Sequence, residues 1–113
     1  MTVSVEHKGR IAVLTIDNPP VNALGRAVRE ALLSQALALN ADPSVAGVVL
    51  CGAGRMFVGG ADIGEFDRAP EGPHLPEVIA AIEEATKPWV AALHGTALGG
   101  GLELALGCRF RVA

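Results

Sequence analysis

Val3, Val5 and His7 alternate with Ser4 and Glu6, the period of a strand with one buried face. Lys8-Gly9-Arg10 reads as a turn, and residues 11–16, Ile-Ala-Val-Leu-Thr-Ile, read as a second strand, so the chain opens on a predicted β-hairpin. Asn18-Pro19-Pro20 ends it, because proline cannot continue a ladder. Residues 26–40 carry apolar groups at helical spacing, with Val28, Leu32 and Ala36 on one stripe and Leu33 and Leu37 beside it. Asp42-Pro43 closes that helix. Residues 47–51 form a short apolar run, predicted to be a strand buried on both faces.

Gly52-Ala53-Gly54 opens a long loop, and Gly59-Gly60-Ala61-Asp62-Ile63 leads into a short helical turn. Residues 69–76 hold three prolines and read as a linker. A second amphipathic helix is predicted over residues 77–86, with Leu75, Val78, Ile79 and Ile82 on its apolar side. Lys87-Pro88 breaks it, and residues 89–93 return as a buried strand. A Gly-rich turn at 95–101, a helix from 102 to 106 and a strand from 109 complete the pattern. Strands alternating with helices predict an α/β fold with a largely parallel sheet and right-handed crossovers. Ligands bind such sheets beyond the carboxyl ends of the strands. The loops at 52–60 and 95–101 both follow strands, so they are expected at one end of the sheet.

The length of 113 residues suits one domain. Half the residues are apolar and 19% are charged, which excludes a disordered tail. The net charge of −3 comes without any basic block. Nucleic acid, whose capture rests on clustered Lys and Arg, is therefore not an expected partner. An anionic small molecule remains open, since a helix N-terminus and a few cations suffice. Cys51 and Cys108 form no metal-ligand set with His7, His74 or His94 and read as reduced, buried thiols of a cytoplasmic protein. The first residues lack the pattern of a signal peptide, and no apolar run is long enough to span a membrane.

The candidate chemistry lies in Leu98-Gly99-Gly100-Gly101-Leu102-Glu103. Three glycines at a strand-to-helix turn let backbone amides approach a ligand with no Cβ in the way. The helix N-terminus adds unpaired donors and a positive dipole end. Such a pocket suits a developing oxyanion, where one lost donor typically costs ~3–4 kcal/mol of barrier. Glu103, in the first turn of that helix, reads either as a capping group or as an ionised general base. Asp62 reads as a cap of its own helical turn. A P-loop is excluded because no GK[ST] follows either glycine run, and a dinucleotide fingerprint because Asn18-Pro19-Pro20 follows the opening strands. No serine stands in a G-x-S-x-G setting. Asn22 is expected to tie down the loop after Pro20 by a side-chain to backbone bond. Lys87 is expected as a charge at the C-terminus of the second helix, Trp89 as a core or interface residue, and His94 as a loop histidine. Arg55 reads as solvated or as a contact for a phosphate of the ligand.

Four segments in order carry a resemblance to the crotonase, or enoyl-CoA hydratase/isomerase, superfamily. They are Asp17-Asn18-Pro19-Pro20-Val21-Asn22-Ala23-Leu24, Phe57-Val58-Gly59-Gly60-Ala61-Asp62-Ile63, Lys87-Pro88-Trp89-Val90-Ala91-Ala92, and Gly95-Thr96-Ala97-Leu98-Gly99-Gly100-Gly101-Leu102-Glu103-Leu104-Ala105. The wording most resembles the hydratase portion of multifunctional fatty-acid β-oxidation proteins. The resemblance implies an α/β crotonase-like ββα spiral core, with residues 1–113 as its N-terminal part and the C-terminal half beyond it. It implies an acyl-CoA thioester as substrate and partner, with no metal and no other cofactor. The amides of Gly59 and Gly100 would form the oxyanion hole, and Glu103 would be one of two catalytic glutamates. Gly60, Ala61, Asp62, Ile63 and Gly99 would line the substrate. Many relatives carry Ala at the position of Gly59, so this loop is expected to be looser. The second glutamate is expected past Ala113, and the assembly is expected to be a homo-oligomer or part of a larger multifunctional chain. The implied reaction is hydration or isomerisation of trans-2-enoyl-CoA. A non-catalytic acyl-CoA-binding or assembly fragment, or another reaction of the superfamily, is the alternative.

Overall fold

The computed structural model describes residues 3–19, 22–54, 57–58, 73–93 and 107–112. Strands β1 (Val3–Lys8) and β2 (Ile11–Ile16) form the predicted hairpin, antiparallel, with Lys8 opposite Ile11. Gly9 sits at φ +62 as the first residue of the two-residue turn, a conformation that disfavours a Cβ. Helix α1 (Arg26–Ala41) leads into β3 (Gly47–Gly52), and helix α2 (Leu75–Glu83) into β4 (Trp89–Ala92). Strand β5 (Phe110–Val112) follows. The sheet order is β1-β2-β3-β4-β5, and every pair after the hairpin is parallel. The α/β class and the parallel sheet are as expected. The helix predicted over 102–106 lies outside the described residues.

Successive right-handed crossovers that advance in one direction put their helices on one face. Val28, Leu32, Ala36 and Leu39 of α1 and Val78 and Ile82 of α2 accordingly share one core with Ala12, Leu14, Ile16, Val48, Leu50, Trp89 and Ala91 of the sheet. The pairings Leu14 with Leu50 and Leu50 with Ala91 keep these side chains on the same face. The opposite face carries Val49, Cys51 and Val90, each half-buried, and Phe110 and Val112, both exposed. This corrects the expectation that β3 is buried on both sides.

Three other expectations need correction. Leu37 is 58% exposed, whereas Leu33 packs half-buried against the core as expected, because the stripe through Val28, Leu32, Ala36 and Leu39 faces the sheet. His7 is exposed, because the hairpin end, with Ile11 also 39% exposed, lies outside the shared core. Helix α2 starts two residues early and ends at Glu83. Pro76 belongs to its first turn, where a missing N–H costs nothing. The His74 amide donates to the Glu77 carboxylate there at 3.2 Å, satisfying a donor at the helix start.

Asn40 ties three elements together. Its amide donates to Ala81 O at 3.0 Å and its Oδ1 accepts from Trp89 Nε1 at 2.9 Å. Trp89 is thus a core residue with its one polar atom paired. Lys87 does not serve α2, as was expected. Its ammonium donates to Leu39 O and Asp42 O, carbonyls at the C-terminal end of α1 and its cap, where the dipole favours a cation.

Candidate active-site edge

Strands β2, β3 and β4 run parallel, so Ile16, Gly52 and Ala92 point their carboxyl ends to one edge of the sheet. The loops that leave this edge are those in which the sequence places its chemistry. The segment leading to Gly59 leaves β3, and the segment leading to Gly99, Gly100 and Glu103 leaves β4. These strands are neighbours, roughly 4.8 Å apart. The eight residues Gly59, Gly60, Ala61, Asp62, Ile63, Gly99, Gly100 and Glu103 lie outside the described residues, as do His94 and Arg55.

The described residues build the base of this edge. Asn22, in the loop that leaves β2, is 2% exposed and at φ 53. Asparagine tolerates the left-handed region better than most residues. Its backbone N–H donates to Asn18 O at 2.8 Å, and its Oδ1 accepts from the Asn18 amide at 2.9 Å. Asn18 Nδ2 in turn donates to Ala23 O at 2.9 Å. These bonds fasten Asn22 to Asn18 and include the side-chain to backbone bond expected of Asn22. The side chain does more: Nδ2 donates to Ala53 O at 2.9 Å and to Phe57 O at 3.2 Å. Asn22 therefore joins the loop after β2 to the loop after β3.

The second loop is held at further points. The Ala53 amide donates to Ile16 O at 2.8 Å, extending the ladder past the end of β3. Gly54 turns at φ +78, which a side chain would strain. Phe57 and Val58 are both fully buried, so the chain reaches Gly59 from a fixed point in the core. The far end of the same excursion is fastened by Arg29, which the sequence reading passed over. Its Nε donates to Pro73 O at 2.9 Å and its Nη1 to Leu24 O at 2.7 Å. The signal was available: Arg29, Leu32, Leu33 and Ala36 follow the helical repeat, so a cation interrupts an apolar stripe.

The return from the third loop is close-packed as well. A Cβ on Gly107 would meet Ile79 Cγ2 at 3.0 Å, so α2 sits directly against that turn. The Leu93 amide donates to Val112 O at 2.6 Å. Cys108 is buried, and burial pushes its thiol up to about 12 against the pull of the Arg111 charge. A depression of about 210 Å³ between Ile82, Glu83, Lys87, Trp89 and Arg109 lies at the opposite, amino edge of the sheet.

Residues 6–113 match the family described as enoyl-CoA hydratase/isomerase. The chain belongs to this family. Among similar proteins, a "Peroxisomal bifunctional enzyme" of Danio rerio is 50% identical over 106 residues, covering 94% of this chain and 15% of that protein. A "Probable enoyl-CoA hydratase" of Bacillus subtilis is 43% identical over 110 residues, covering 91% of this chain and 43% of that protein. A crystal structure of an enoyl-CoA hydratase/carnithine racemase from Magnetospirillum magneticum superposes with a TM-score of 0.91 at 31% identity, over 98% of this chain and 45% of that one. The chain thus spans less than half the length of these relatives. As a member of the hydratase/isomerase family, it forms the N-terminal portion of the family's α/β fold.

Proposed function

We propose that this chain supplies the oxyanion-hole half of a site that hydrates or isomerises trans-2-enoyl-CoA in fatty-acid β-oxidation. The observation that carries the reading is the parallel pairing of β3 with β4, which sends both small-residue loops out of one sheet edge. The amides of Gly59 and Gly100 donate to the thioester oxygen, and Gly60, Ala61, Asp62, Ile63 and Gly99 line the acyl-CoA. Glu103 takes a proton from water or from the α-carbon. In hydration, the water oxygen bonds to the β-carbon, its proton passes to a carboxylate, and the enolate so formed is held by the two amides. A second acid then protonates the α-carbon. No metal or redox cofactor takes part. The reading places the chain in a reducing compartment, the cytoplasm, consistent with the free thiols of Cys51 and Cys108. It works there as a homo-oligomer or as part of a multifunctional chain.

Residues 1–113 supply one of the two carboxylates in this scheme. The 113-residue chain is therefore expected to exchange the α-proton of a saturated acyl-CoA in D₂O but not to hydrate crotonyl-CoA. Glu103→Ala is expected to abolish the exchange and leave CoA-thioester binding intact. Hydration at a normal rate by this chain would overturn the two-carboxylate scheme. Binding without any exchange in the unaltered chain would favour an acyl-CoA-binding role instead.

A further inference from the structure

We infer that Asn22 is a positioning residue for the thioester-carbonyl site, holding the loop that delivers the Gly59 amide. The inference rests on the oxyanion role proposed for Gly59. An oxyanion donor works only within a narrow range, about 2.7–3.1 Å from the charged oxygen. Something must fix its backbone to that tolerance, and glycine at position 59 gives the backbone more freedom than any other residue would.

Asn22 meets this need from a buried position. Its side chain has one acceptor and two donor hydrogens. The acceptor takes the Asn18 amide, and the donors reach Ala53 O and Phe57 O. The two carbonyls bracket the turn at Gly54, so the loop is closed onto one side chain from both ends. The second of them stands two residues before Gly59. The φ of 53 belongs to the same device, because it turns the Asn22 side chain inward while the chain reverses after β2. An exposed loop could have been stabilised by any nearby contact. This one is fastened next to the proposed donor, through a residue whose backbone conformation excludes most alternatives.

Two substitutions separate positioning from folding. Asn22→Gly keeps the left-handed backbone and removes the clamp. Asn22→Asp keeps the backbone and the acceptor but sets a carboxylate oxygen against two carbonyls. The probe is a conjugated 2,4-dienoyl-CoA, whose ultraviolet absorption moves to longer wavelength when hydrogen bonds polarise its thioester carbonyl. In the unaltered chain, binding is expected to produce this shift. Both variants are expected to lose at least half of it at pH 8, while affinity for free CoA changes by less than about threefold. In Asn22→Asp, lowering the pH protonates the introduced carboxyl, makes it a donor to one carbonyl, and restores part of the shift. That recovery, followed in one sample, serves even where Asn22→Gly does not melt cooperatively. A full shift in either folded variant at pH 8 overturns the inference. No shift in the unaltered chain overturns the oxyanion reading itself, so the two failures are distinguishable.

Discussion

Asn22, Arg29 and Cys108 show how single residues carry this fold, and they were unequally legible in the sequence. For Asn22 the near-neighbour bond to Asn18 could be expected, because a short amide after a Pro-Pro turn bonds locally. Its partners across the chain, Ala53 and Phe57, could not, since nothing local brings position 22 beside position 57. For Arg29 the interrupted apolar stripe is a local signal, but its partner Pro73 O lies far along the chain and leaves no local mark. Of the two thiols read as buried, Cys51 is only half-buried and Cys108 is buried, and burial raises the Cys108 value from 9.0 to about 12. The folded state then holds a proton that the unfolded state has released. Stability from this group is complete below pH 9 and falls as pH rises toward 12, by up to about 4 kcal/mol. Urea unfolding between about pH 8 and 11 is expected to show a shallower alkaline decline in Cys108→Ala than in the unaltered chain. Parallel declines would mean that the thiol is not the cause.

At the scale of elements, periodicity located β1, β2, α1, β3 and β4 to within about a residue, because each has a local repeat imposed by one buried face. It misjudged the start of α2. Pro76 was taken as linker material, whereas a helix accepts proline where no N–H is needed. It also could not reveal how closely α2 approaches the turn at Gly107. Ile79 is branched at Cβ and stiff, so its Cγ2 cannot easily retreat from an added methyl. Gly107→Ala is expected to destabilise the fold by about 1 kcal/mol, lowering the urea midpoint at unchanged slope. An unchanged or raised midpoint would show that α2 has room to shift.

Across the whole molecule, the sheet has one face closed by α1 and α2 and another that is only half-covered among the described residues. On that second face Phe110 and Val112 pair with Val90 and Ala92 and remain more than half exposed. Exposed apolar groups on a short edge strand favour association with other surfaces. The pair Phe110→Lys and Val112→Lys is expected to reduce concentration-dependent self-association in sedimentation experiments. Folding stability should change by no more than about 0.5 kcal/mol for each. A large loss of stability would instead mean that these side chains are packed in solution.

The sequence alone determined the class of fold, the order of most elements and the segments that carry the family resemblance. Each of these follows from patterns within a few residues, such as a repeat of two or 3.6 or a glycine run after a strand. Tertiary structure decided which stripe of α1 is inside, that Lys87 serves α1 and not α2, and that one asparagine joins two loops far apart in sequence. Those outcomes depend on which distant backbone groups arrive beside a side chain once the sheet has formed, and no local repeat records that.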